Sequence, residues 1–171
     1  CAACALWAGP SYAAGQFFFT DSSQYWLFVH ESPAFELKVP ADRQSYVQRR
    51  LFGEESLEVT WGASGPVLIV GGRTGYTGDA AAVRDALAAR FRYGAPGLRV
   101  VTDETITTAE GLSADFFVLE LPQSQGGMML RIVVFQRRTD LAFLAFAVQS
   151  DAYNGDTRSY WLEAVNTFRW R

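Results

Sequence analysis

The residues that could do chemistry in this chain of 171 are few and scattered. His30 is the one histidine, and Glu31 follows it, so a general base can be imagined there. A nucleophile would have to be presented beside it, and no Gly-x-Ser-x-Gly elbow occurs. The ordinary role of such a histidine is structural, hydrogen-bonded or facing solvent. Glu54, Glu55 and Glu58 cluster on one segment and could hold a cation weakly. A solvated acidic edge that discourages strand-to-strand association explains them as well, and Asp103-Glu104 has the same two readings. Cys1 and Cys4 form a Cys-x-x-Cys pair, but a metal site needs two more soft ligands and the sequence offers only His30. No catalytic set, metal site or cofactor is expected.

The turn after Val67-Leu68-Ile69-Val70 is the second candidate. It reads Gly71-Gly72-Arg73-Thr74-Gly75-Tyr76-Thr77-Gly78, with Asp79 opening a helix. A strand, a glycine-rich turn and a helix in that order resemble a dinucleotide fingerprint, with Asp103 near the place of a ribose-binding acid. The wider pattern speaks against a nucleotide-binding enzyme. Parallel strands need crossover connections, whereas the chain beyond residue 98 offers four successive strands and then one helix. Asp79 would also repel a phosphate. The turn reads better as an exposed recognition loop carrying Arg73 and Tyr76, since loops on rigid scaffolds often bind partners.

The third candidate is the amino-terminal region. Cys1-Ala2-Ala3-Cys4-Ala5-Leu6-Trp7-Ala8-Gly9-Pro10 is apolar and uncharged. A first mature cysteine is what bacterial lipoprotein processing leaves, so Cys1 is expected to carry a lipid anchor that holds the protein to a membrane. The competing reading is the tail of a signal peptide, with Ser11-Tyr12-Ala13 as its cleavage region. Both place the protein outside the cytoplasm, as a periplasmic or cell-surface molecule. Close behind lie Phe17, Phe18, Phe19, Tyr25, Trp26 and Phe28. They can be core, or they can form a partner-binding or membrane-proximal patch.

Composition bounds these readings. Hydrophobic residues make up 49%, aromatics 15% and charged residues 19%, which excludes a disordered, collagen-like or coiled-coil chain. The net charge of -3 argues against a surface that coats nucleic acid. Lys38 is the only lysine.

The elements that must position these residues follow from periodicity. Phe35, Leu37 and Val39 alternate with Glu36 and Lys38 up to Pro40, and Leu57, Val59 and Trp61 alternate with Glu58 and Thr60. Each pattern marks a half-buried strand. Asp79 is a good N-cap for a helix over 80–92, with Val83, Ala86, Leu87 and Arg90/Phe91 on its buried side. Strands are expected over 98–106, 112–121, 128–136 and 141–149, the last three as an antiparallel meander. Arg137-Arg138 marks a solvated hairpin tip that could touch lipid headgroups. From Asp156 a closing helix places Trp161, Ala164, Val165 and Phe168 on one stripe. The expected fold class is α+β: one antiparallel sheet packed by two helices, with residues 1–33 as an anchor and aromatic arm and 34–171 as a single domain.

In this layout the chain resembles the PsbP-like family, named for the extrinsic photosystem II protein. The resemblance rests on Phe35-Glu36-Leu37-Lys38-Val39-Pro40, on Val67-Leu68-Ile69-Val70 before the first helix, on Gly111-Leu112-Ser113-Ala114, and on the ending Ala164-Val165-Asn166-Thr167-Phe168-Arg169. It covers residues 34–169, and Thr167 stands where the family has a Ser. The resemblance implies a non-enzymatic lipoprotein that serves as an accessory or binding subunit of a larger membrane or envelope complex. Its expected contact residues are Phe17, Phe18, Phe19, Tyr25, Trp26, Arg73 and Tyr76, with no nucleic acid among its partners. A carrier of a small apolar ligand, held between sheet and helices, is the alternative.

Overall fold

The computed structural model describes residues 8–12, 15–41, 45–51, 54–61, 65–92 and 97–171. The early aromatic stretch forms β1 (Ala8–Tyr12), β2 (Gly15–Phe19) and β3 (Tyr25–His30), and the first alternating run is β4 (Phe35–Pro40). Then come β5 (Ser45–Leu51), β6 (Glu54–Thr60), β7 (Val67–Arg73) and helix α1 (Ala80–Arg92). The second half holds β8 (Arg99–Thr107), β9 (Ser113–Glu120), β10 (Met128–Arg137), β11 (Asp140–Gln149), helix α2 (Gly155–Asn166) and the short β12 (Arg169–Trp170).

These strands make two antiparallel sheets, not one. The first has the order β1-β2-β3-β4-β12 and the second β5-β6-β7-β11-β10-β9-β8. The expected α+β class with two helices holds, and the single sheet is corrected. The reason is physical: alternation tells which side of a strand is buried and says nothing about its neighbours. Phe35, Leu37 and Val39 on β4 and Leu57 and Val59 on β6 all face the same interior, from opposite sheets. The 33/34 boundary drawn from sequence falls in the turn between β3 and β4, which are hydrogen-bonded neighbours.

The molecule is therefore layered, with the seven-stranded sheet in the middle. Residues 141–148 of β11 are buried on both faces. Ala142, Leu144, Phe146 and Val148 face the first sheet and α2, whereas Leu141, Phe143, Ala145 and Ala147 face α1. On the α1 side the stripe is Ala80, Val83, Leu87 and Ala88, with Phe91 partly buried. Ala86, expected on that stripe, is exposed. Asp79 caps the helix as its sequence predicts: its Oδ1 accepts from the Ala82 amide at 2.8 Å.

On the other side α2 lies along the edge of β4. Asn154 caps it, accepting from the Asp156 and Thr157 amides, while Thr157 returns a hydroxyl to the Asn154 amide. Thr167 ends the helix and its hydroxyl oxygen accepts from the Lys38 amide at 2.9 Å. The chain then runs as β12 along β4, pairing Arg169 with Glu36 and Trp170 with Phe35. The stripe that includes Phe168 predicts a helix continuing past Asn166, and the strand at Arg169–Trp170 corrects it. Phe168 lies between the two secondary structures and is fully buried. Its ring stacks on Phe135 of the second sheet at 3.8 Å and lies 5.4 Å from Phe35 of the first.

Truncating that ring removes contacts to both sheets at once. Phe168→Ala is expected to lower the free energy of unfolding in urea by about 4 kcal/mol, the range for deleting a buried phenyl group. A loss below about 1 kcal/mol would show that the ring is not a shared core element.

Candidate binding surface

The first sheet has a buried face and an outward face, set by the pairing of β2, β3 and β4. Phe17 pairs with Phe28, and Phe28 with Leu37, so these three side chains share the inner side. Phe18 pairs with Leu27, and Leu27 with Lys38, so these lie on the opposite side. In β3 the run Tyr25-Trp26-Leu27-Phe28-Val29 carries no polar residue, so both faces receive apolar side chains. That feature of the sequence is the one signal for an apolar outer face.

The outcome is a shallow hollow of about 480 Å³ lined by Phe18, Phe19, Thr20, Asp21, Leu27, Val29, Glu36 and Arg171. Phe19 is 50% exposed and meets Trp26 edge-on at 5.6 Å. Arg171 and Glu36 form an ion pair at 3.5 Å on the rim. Of the residues expected to bind a partner, Phe18 and Phe19 line this hollow. Phe17 is a core residue, 1% exposed, with its ring 5.2 Å from Phe28. Trp26 is half-buried against the same core.

Tyr25 faces a second, polar hollow with Ser23, Gln24, Asp156, Ser159 and Tyr160. Its ring lies edge-on to Tyr160 at 6.3 Å. Partial burial, with the negative charge of Glu163 adding to it, pushes the Tyr25 phenol above the ordinary value of 10.0.

The glycine turn belongs to a different part of the molecule. Gly71 and Gly72 are buried inside β7, whose neighbours β6 and β11 both run antiparallel to it. A Cβ on Gly71 would sit 2.6 Å from the Phe143 ring, so this glycine is required by packing. Arg73 ends the strand, and Tyr76 packs against the α1-side core while its hydroxyl donates to the Asp79 carbonyl at 3.0 Å. No residue of this turn lines the outward hollow, so the structure does not join Arg73 and Tyr76 to the aromatic patch. Cys1 and Cys4 lie outside the described residues.

The remaining candidates resolve into structure. His30 is buried, stacks on Phe35 at 4.5 Å, and its Nδ1 lies 2.9 Å from the Pro33 carbonyl, to which it can only donate. Glu58 is buried and ion-paired with Arg90 of α1, so it is not part of a solvated acidic edge. Arg137 is tied down as well: its guanidinium lies 4.7 Å over Trp170 and donates to the Arg171 carbonyl. Arg138 forms the hairpin tip, with φ of 59°. Asp103 is exposed on β8 and pairs with Arg84 of α1 at 3.2 Å.

No protein-family model matches this sequence, and no curated protein matches it. Among solved structures, the solution structure of cyanobacterial PsbP (CyanoP) from Synechocystis sp. PCC 6803 superposes with a TM-score of 0.60 at 13% identity, covering 95% of this chain and 98% of that one. The fold is that of PsbP. A Pseudomonas aeruginosa protein of unknown function, PA94, aligns over 86% of this chain with a TM-score of 0.47 and 18% identity. At this identity the likeness describes the scaffold, and PsbP residue roles do not transfer with it.

The raised Tyr25 phenol gives a pH dependence. Below the ordinary tyrosine value both folded and unfolded chains hold the proton. Above it the unfolded chain ionises first, so stability declines as pH rises. Between roughly pH 9 and pH 11 the urea midpoint of Tyr25→Phe is expected to fall less steeply than that of the wild type. Parallel curves would show that Tyr25 titrates normally.

Proposed function

We propose that this chain is a non-catalytic, extracytoplasmic binding module that serves as an accessory subunit of a membrane-associated protein complex. The outward hollow around Phe18 and Leu27, with Phe19 at its margin, carries the reading. It presents apolar side chains on the free face of a sheet whose other face is fully packed, the arrangement expected of a contact surface. The rim of Asp21, Glu36 and Arg171 is polar, as the margin of a protein interface is. The shared fold supports the accessory role, because PsbP-like proteins act through surfaces and not through a catalytic pocket. A lipid on Cys1 belongs to this reading. It would hold the module at the membrane and raise its local concentration near a partner. The hollow lies open along one sheet face, which suits a protein surface better than a carried small molecule.

The test uses the full chain in its native host. A photo-crosslinking phenylalanine analogue in place of Phe18 is expected to give one discrete adduct in the membrane fraction. The same analogue in place of Leu162, which is 40% exposed on α2, is expected to give none. Leu27→Glu, on the outward face, should leave the fold intact and cut the adduct yield about tenfold, the effect of losing a buried interface anchor. Equal adducts from both positions, or a yield that Leu27→Glu does not change, would overturn the proposal. Intact mass of the native protein would report acyl chains on Cys1.

A further inference from the structure

Arg131 is placed where an arginine is costly. It stands on β10, on the face that carries Val133 and Phe135 toward the inter-sheet core. Its guanidinium carbon lies 4.9 Å over the Phe116 ring and 5.0 Å over the Tyr153 ring. The two rings hold the guanidinium by cation–π contacts and take none of its N–H donors. Those donors are poorly used. Among the described residues the buried Nε has no hydrogen-bond partner, and one terminal nitrogen reaches only the Met129 sulfur, at 3.9 Å. Among the described residues no carboxylate oxygen comes within ion-pair distance of it.

A second cation adds to the imbalance. Arg158, exposed on the first turns of α2, also has no ion pair among the described residues. Burial first, and the charge of Arg158 after it, lower the Arg131 pKa from its ordinary value, while Tyr153 opposes them. An acidic protein that keeps a half-buried arginine with no ion pair among the described residues leaves a place for an anion from outside.

We infer that Arg131, with the Phe116 and Tyr153 rings around it, is a recognition site for a carboxylate side chain on an acidic segment of a partner protein. A planar carboxylate matches the in-plane fork of a guanidinium, and arginine among aromatic rings is the composition of interface hot spots. A phosphate fits less well. The amides at the start of α2, which could have helped to hold a phosphate, are already capped by Asn154. This site shares no residue with the apolar hollow, so its failure leaves the proposed function standing, and the reverse.

The Nε–H resonance of Arg131 in the full-length protein, assigned by its loss in Arg131→Met, reports binding at low ionic strength. Three probes are titrated: a capped peptide of alternating Asp and Glu, the same peptide with Asn and Gln, and inorganic phosphate. The acidic peptide is expected to move the resonance saturably and the other two are not. Binding, read from the backbone amides of Phe116 and Tyr153, should weaken about tenfold in Arg131→Met. Arg131→Met keeps the aliphatic stem between the rings and removes an uncompensated charge, so it should melt no lower than the wild type. Should Arg131→Met fold poorly, Arg131→Lys keeps the charge, loses the fork, and is expected to bind the acidic peptide more weakly than the wild type. Failure of the acidic peptide to move the resonance saturably would overturn the assignment. So would equal movement with the Asn and Gln peptide or with phosphate, or unchanged binding in the folded Arg131 variant.

Discussion

The stacking of Phe168 on Phe135, with the Phe35 ring also against it, is the contact on which the rest of the architecture depends. It joins three parts of the chain that are far apart in sequence: the early strand β4, the central strand β10 and the carboxy-terminal end of α2. Each sheet alone would expose a hydrophobic face. Together they enclose one interior that contains Leu37, Leu57, Val133, Phe146 and Trp161. Burial of this kind, and not hydrogen bonding between sheets, is the favourable term that two packed β layers rely on. The link is reinforced at its margin, where Lys38 pairs with Glu163 at 2.9 Å and its amide donates to Thr167.

This tie determines which surfaces are left to interact. The first sheet commits Phe17, Phe28, Phe35, Leu37 and Val39 inward, so the alternate positions Phe18 and Leu27 must face outward. The seven-stranded sheet is covered by α1 on one side and by the first sheet with α2 on the other. Chemistry-bearing residues of both sheets are drawn into structural roles, as Glu58 of the second with Arg90 and His30 of the first with Pro33 illustrate. Arg131 differs from them: among the described residues no carboxylate pairs with it, although it stands on the same face as the core.

Much of the local structure was legible in the sequence because it is encoded locally. Asp79 before an alanine-rich run announces α1, and the spacing of Trp161, Ala164, Val165 and Phe168 announces α2 and its buried side. The meander of β9, β10 and β11 follows from three apolar runs with polar turns between them. The two-sheet arrangement was not legible, since a period of two residues is the same whichever sheet a strand joins. Neither was β12, where Arg169 and Trp170 follow a helical stripe without a breaker and are turned into a strand by pairing with β4. Of the candidate surface, the aromatic richness of 17–28 could be read, but the division of Phe17 inward and Phe18 outward needs the register with β3. Arg131 gave no signal at all, because its position depends on rings contributed by β9 and by the segment before α2.

Native-state hydrogen exchange under low denaturant tests most directly whether one shared interior holds both sheets. The amides of β3 and β4 and those of β10 and β11 should open together, with a single free energy close to that of global unfolding. If the β3–β4 amides open at a much lower free energy while β10–β11 stay protected, the first sheet is a loosely attached arm, and its outward face is not a surface held in place by the core.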